Sequence, residues 1–261
     1  MISQLLQSKF TSHIYGFLSL ALALALTDAA ALAYTIEGGV EHVERMPSVA
    51  PELRAGADFH EDKLTNGTSN RWLKVPNWLA GTWLVKTETA VFQKDYKTGR
   101  SSNSQTTYKA RHEFTYGYQK DLQGDIWHYI GVPYTSKTSL SEYDEFHKVS
   151  LKDFQTVTGN EVRFRTLMTV IRVNRSSDTI ITSFQQESIT SYRPVEDGVI
   201  ELTSSTKSFD AAGNPRHETC NTATIKRVKP YIAVNEKDGK DLAALFKDFL
   251  VSRGLTNLMP Q

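Results

Sequence analysis

A single cysteine, Cys220, means that neither an intrachain disulfide nor a cysteine-based metal cluster can hold this fold together. Net charge is nearly absent too, since 30 basic residues against 29 acidic ones leave +1. Such a balance supplies no field for steering nucleic acid, and no nucleic-acid partner is expected. Apolar runs are short. The one from Ile14 to Leu26 has 13 residues, whereas a helix crossing a bilayer needs about 20, so no stable membrane anchor is expected. Chemistry-bearing motifs are missing as well: there is no Gly-rich phosphate loop, no nucleophile elbow and no His-Glu-x-x-His. No catalytic residue, cofactor or metal ligand is nominated on this basis.

What is present begins with a targeting pattern. Residues 1–13 carry Lys9 and no acid, Ile14–Leu26 is free of charge, and small residues follow to Ala31-Leu32-Ala33. This order of basic, apolar and small residues is that of a secretory signal. Residues 1–33 are therefore expected to be cleaved and the chain exported.

The mature chain divides by texture. Residues 34–77 carry three prolines (Pro47, Pro51 and Pro76) and little periodicity, and read as an irregular N-terminal extension. From Trp78 onward, alternating runs are separated by Gly, Asn, Asp and Pro. In Thr106–Tyr118, Tyr108, Ala110, His112, Phe114, Tyr116 and Tyr118 fall on one side, with Lys109, Arg111 and Glu113 on the other. A period of two held that long is a strand. The same test gives strands at 82–92, 105–118, 125–132, 145–156, 161–173, 179–192, 199–209 and 217–229, with a polar loop from Pro133 to Tyr143. Short connections make neighbours antiparallel. Leu242, Leu245, Phe246, Phe249 and Leu250 then repeat at helical spacing. The expected fold is all-β: an eight-stranded antiparallel up-and-down barrel over 78–255 with one C-terminal α-helix outside its wall, and a tail at 256–261.

At the first strand stands Trp78-Leu79-Ala80-Gly81-Thr82-Trp83. Its Gly-x-Trp unit, followed by seven further strands and a helix, resembles the lipocalin and wider calycin superfamily. The resemblance implies that Trp83 plugs the closed end of the barrel and that Arg227 packs across its ring. The Pro76–Trp83 opening also resembles uncharacterised exported proteins of cyanobacteria and the chloroplast lumen. That likeness implies the periplasm or thylakoid lumen as the location.

Barrels of eight strands can hold one small ligand. The candidate lining residues are Tyr108, His112, Phe114 and Tyr116 on the second strand and Trp127 and Tyr129 on the third. Phe164, Met168 and Arg172 on the fifth strand join them. On the sixth, Gln185 and Glu187 alternate with Phe184, Gln186 and Ser188, so either face carries polar groups needing partners. Three functions are compatible with this pattern. The first is a carrier of a small, mostly apolar ligand such as a lipid or pigment. The second is a barrel enzyme, an isomerase, cyclase or hydrolase of a hydrophobic substrate. The third is an assembly protein using 34–77 as a docking arm.

Overall fold

A computed structural model of the chain describes residues 40–64, 69–103 and 105–260. The expected signal segment, 1–33, lies outside them. The described chain is mostly antiparallel β-structure with one α-helix. Its strands are β1 (Ser69–Val75), β2 (Gly81–Asp95), β3 (Ser101–Ser102), β4 (Thr106–Tyr116), β5 (Gln119–Lys120), β6 (Ile126–Val132) and β7 (Tyr134–Ser139). They continue as β8 (Tyr143–Val157), β9 (Val162–Asn174), β10 (Ile180–Glu196), β11 (Val199–Phe209) and β12 (Pro215–Lys229). A small hairpin, β13 (Glu236–Lys237) and β14 (Lys240–Asp241), leads into α1 (Leu242–Ser252).

Nine strands form one sheet, ordered β3-β2-β12-β11-β10-β9-β8-β7, with β4 paired to the same edge of β2 as β3. A smaller sheet runs β1-β6-β5. Besides the two-residue strands β3, β5, β13 and β14, two longer strands were not foreseen. β7 falls in the stretch read as a loop, because its Ser, Thr and Lys side chains stay largely exposed at a sheet edge and leave no apolar period. β1 falls in the extension read as irregular; it buries only Trp72 and Val75.

The large sheet curls back on itself. β4 and β10 are four strands apart in its order, ~19 Å in a flat sheet, yet the Phe114 and Tyr192 rings lie 5.5 Å apart. Between its two edges stands β6, whose His128 ring is 4.8 Å from that of Tyr116 and 6.1 Å from that of Phe154 on β8. The chain reaches β6 by continuing β4 through Gly117 into β5. A Cβ on Gly117 would sit 2.5 Å from Ile126 Cγ2, at φ +79°, so only glycine fits that corner.

The concave side holds a core of Trp83, Val85, Tyr116, Val162, Phe164, Tyr192, Ile200 and Ile225. Fully buried, Trp83 donates its indole N–H to Leu79 O (2.8 Å). The Arg227 guanidinium lies 5.1 Å above its ring and donates to Trp78 O (3.0 Å). The contact is of cation–π type, worth about 0.5–2 kcal/mol.

Two other segments cover the convex side. α1 lays Leu242, Phe246 and Leu250 on Trp72, Trp127 and Tyr129. Asp241 caps its start, accepting from Ala244 N at 2.9 Å. Leu258, read as part of a tail, is buried in the same cluster by a turn of 3-10 helix (Thr256–Leu258). Residues 40–64 cross the backs of β8–β11 as a strap. Met46 and Val49 donate backbone bonds to Gly213 O and Ala211 O. Further on, Leu53, Ala57, Phe59 and Leu64 pack on Phe146, Ile171, Val173 and Ile180.

Candidate functional site

Residues paired across an antiparallel ladder share a face, so register sorts the interior into rungs. Nearest Trp83 lie Val162, Tyr192, Leu202 and Ala223, all apolar or aromatic. The next rung is Phe154, Phe164, Thr190, Ser204 and Asn221. Above it come Lys152, Thr166, Ser188, Thr206 and Thr219, and then Val149, Met168, Gln186, Ser208 and His217. At the far end, Arg172 pairs with Glu145 and with Thr182. The interior thus grades from apolar near Trp83 to hydroxylated in the middle to charged at the opposite end.

At that charged end lies a cavity of about 420 Å³, lined by Arg172, Thr182, Ser183, Phe184, Ser208, Phe209, Asp210, Arg216 and His217. Arg172 is fixed by Glu145, with Nε 2.7 Å from Oε2, and its guanidinium lies 5.6 Å from the Phe184 ring. Glu145 Oε1 is 2.9 Å from His147 Nε2. Burial pushes the Glu145 carboxyl up, but the hydrogen bonds from His147 and Arg172 outweigh it and hold the group below its ordinary range.

Several interior polar atoms are buried yet meet no partner among the described residues: His112 Nδ1, His128 Nδ1, Gln186 Oε1 and Asn221 Oδ1. Desolvation holds His112 below its usual pKa. It depresses His128 much further, with help from the charges of Lys152 and Lys237. Both rings are therefore neutral at pH 7. Across the gap, Glu88 is pushed up by burial against the opposing hydrogen bonds of Tyr108 (2.9 Å) and Asn221 (3.3 Å).

The nominated residues separate into three groups. His112, Phe114, Tyr116, Phe164 and Met168 face the interior; Tyr108 is on the same side but 41% exposed at the edge, and Arg172 lines the cavity. Trp127 and Tyr129 face the other way, under α1, where Trp127 donates to Asp121 Oδ2 (2.9 Å) and Tyr129 to Asn70 Oδ1 (2.5 Å). They cannot line the interior.

Gln185 and Glu187 are likewise on the convex face, beneath the strap. Gln185 donates to Pro47 O at 2.6 Å. Glu187 Oε2 accepts from Val43 N (2.8 Å) and lies 2.9 Å from His42 Nδ1, while Oε1 is 2.5 Å from Arg165 Nε. Burial raises the Glu187 carboxyl, but those partners prevail and hold it below its ordinary range.

The sequence reading missed Lys152, Gln186 and the inward role of His128. Gln186 and His128 alternate with nominated neighbours on β10 and β6, so there the alternation was visible and its direction was not; no residue of β8, the strand of Lys152, was nominated.

Compared with models of known protein families, with curated proteins and with solved structures, the chain matches none.

Proposed function

We propose that this chain is an exported binding protein that carries a small, mostly apolar ligand inside a calycin-like barrel. In this reading β3–β4–β5 act as one strand and β6–β7 as another, so that eight strands close into an up-and-down barrel plugged by Trp83. The ligand enters at the end opposite the plug.

One observation carries the reading: an interior whose polar atoms are buried without partners stands beneath a cavity of about 420 Å³. That volume is in the range of small-molecule sites. A buried, unpartnered donor or acceptor costs about 1–3 kcal/mol, so four of them favour a ligand or ordered water that completes their bonds. The docking-arm alternative is disfavoured, because residues 40–64 are already engaged by the chain's own sheet.

The test is a titration with the apolar dye 1-aminoanthracene. Saturable fluorescence at one dye per chain is expected, abolished by Met168→Trp, which fills the interior just below the cavity. Unchanged binding by a folded Met168→Trp variant would overturn the proposal.

A further inference from the structure

The large sheet does not run unbroken to the end opposite Trp83. The ladder between β10 and β11 stops at Gln185 and Phe209, whereas β10 stays paired to β9 as far as Ile180. Beyond Phe209 the chain turns away through Asp210–Gly213 into β12. A notch is left between the β9–β10 and β11–β12 hairpins, and the cavity of about 420 Å³ lies in it. The strap bridges the notch from behind. Val49 N donates to Ala211 O (2.9 Å) on one bank, and Gly56 N donates to Ile180 O (2.8 Å) on the other. Backbone bonds at both banks fix its width, so the site is formed before a ligand arrives.

The charges around the notch are balanced within the chain. Arg172 has Glu145, with Nε 2.7 Å from Oε2, and His217 lies 3.9 Å from Asp95. Arg216 acts on Asp210. Burial pushes that carboxyl up, but bonds from Asn214 and Ala212 and the Arg216 charge hold it below its ordinary range. A bound anion would stand beside the carboxylates of Glu145 and Asp210, and a bound cation beside two guanidiniums. Neither gains a neutralising partner, so the ligand that fits carries no net charge.

A wholly apolar ligand does not fit either. The lining sets the hydroxyls of Thr182, Ser183 and Ser208 beside the half-buried Phe184 ring. Ser183 is 5% exposed, and its Oγ meets no partner among the described residues. Hydrocarbon laid over that hydroxyl would leave it unsatisfied. Arg172 gives only Nε to Glu145, so its terminal nitrogens remain as donors. Asp210 Oδ2 accepts a single long bond, from Asn214 Nδ2 at 3.3 Å.

Resting on the carrier reading for the apolar part of the ligand, we propose that the notch seats a neutral pyranose head group. Such a ring brings hydroxyls that both donate and accept, which suits Ser183, Arg172 and Asp210 together. Its C–H face suits the ring of Phe184. The same head group arrives either free or joined to a lipid tail, and the two sources are separable.

The experiment titrates the purified protein by calorimetry with octyl glucoside, methyl glucoside, octanol and octanoate, each below its micelle concentration. Octyl glucoside is expected to bind at least tenfold more tightly than octanol or octanoate. It should bind several-fold more weakly to Ser183→Ala, which folds as the parent does because that hydroxyl holds nothing. Octanol should be indifferent to Ser183→Ala. Methyl glucoside binding as tightly as octyl glucoside supports the notch with a free sugar and overturns the carrier reading. Octyl glucoside and octanol binding alike, both indifferent to Ser183→Ala, overturns the head-group site and leaves the carrier reading standing. Octanoate binding tightest does the same. Failure of all four to bind overturns both.

Discussion

The two faces of β10 carry similar side chains to opposite ends. On the convex face Gln185 and Glu187 are buried, with Pro47 O, Val43 N and His42 as hydrogen-bond partners and Arg165 as an ion-pair partner. On the concave face Gln186 is 1% exposed and its Oε1 meets nothing. Burial alone does not separate the two faces; what differs is that the convex pair meets a charged neighbour and backbone groups of the strap, whereas the concave amide oxygen meets neither.

The sharpest way to break this contrast is at Glu187. Replacing it by alanine strands Arg165 and His42 under the strap without their carboxylate, and is expected to cost about 3–5 kcal/mol in urea unfolding. The pH dependence has a definite sign. Because the folded carboxyl sits below its unfolded value, its contribution is present above pH 4.5 and fades as pH falls through the folded pKa. Glu187→Gln should flatten the acid limb of the stability curve. Next in size is Gly213, where the strap docks. A Cβ there would lie 1.9 Å from Met46 O at φ +85°, so Gly213→Ala should cost about 2–4 kcal/mol. Limited proteolysis should then open the strap first.

Substitutions on the concave face should behave differently. Lys152→Met removes a desolvated charge and is expected to raise stability by about 1–3 kcal/mol at pH 7. The folded amine, down at about 8, is more acidic than in the unfolded chain, at about 10.4. The penalty is therefore full below pH 8 and disappears toward pH 10.5, and the gain from Lys152→Met should shrink over the same window. The smallest effect belongs to the inner hydroxyl pair Ser188–Thr206, 3.0 Å apart. Ser188→Ala should change stability by about 0.5–1.5 kcal/mol. An equally large loss at both faces would erase the distinction drawn here.

Much of the architecture was legible in sequence, for a physical reason. A strand with one wet face writes its period into the chain, so Thr106–Tyr118 announced β4 and Val199–Phe209 coincides with β11. The stripe at Leu242–Leu250 announced α1 in the same way. The inward direction was less legible. In β10 both faces are buried from Gln185 to Tyr192, because the strap covers the back. Period two then separates the faces without naming them, which is how Gln185 and Glu187 were nominated in place of Gln186 and Ser188. Trp127 and Tyr129 misled similarly. On β6 the aromatic face is the one that receives the helix, and the inner face carries His128, Ile130 and Val132. The strap itself leaves no period to detect, since 40–64 is held by isolated backbone bonds and single side chains.

The strap also sets an order on assembly. His42 reaches Glu187 and Ser205 across separations of 145 and 163 residues, and Met46 docks on Gly213 in the turn that follows β11. The stretch synthesised earliest among the described residues thus has no berth until the β11–β12 turn exists. Its contacts are made last, so the amino end of the described chain stays slack until the sheet it crosses has formed.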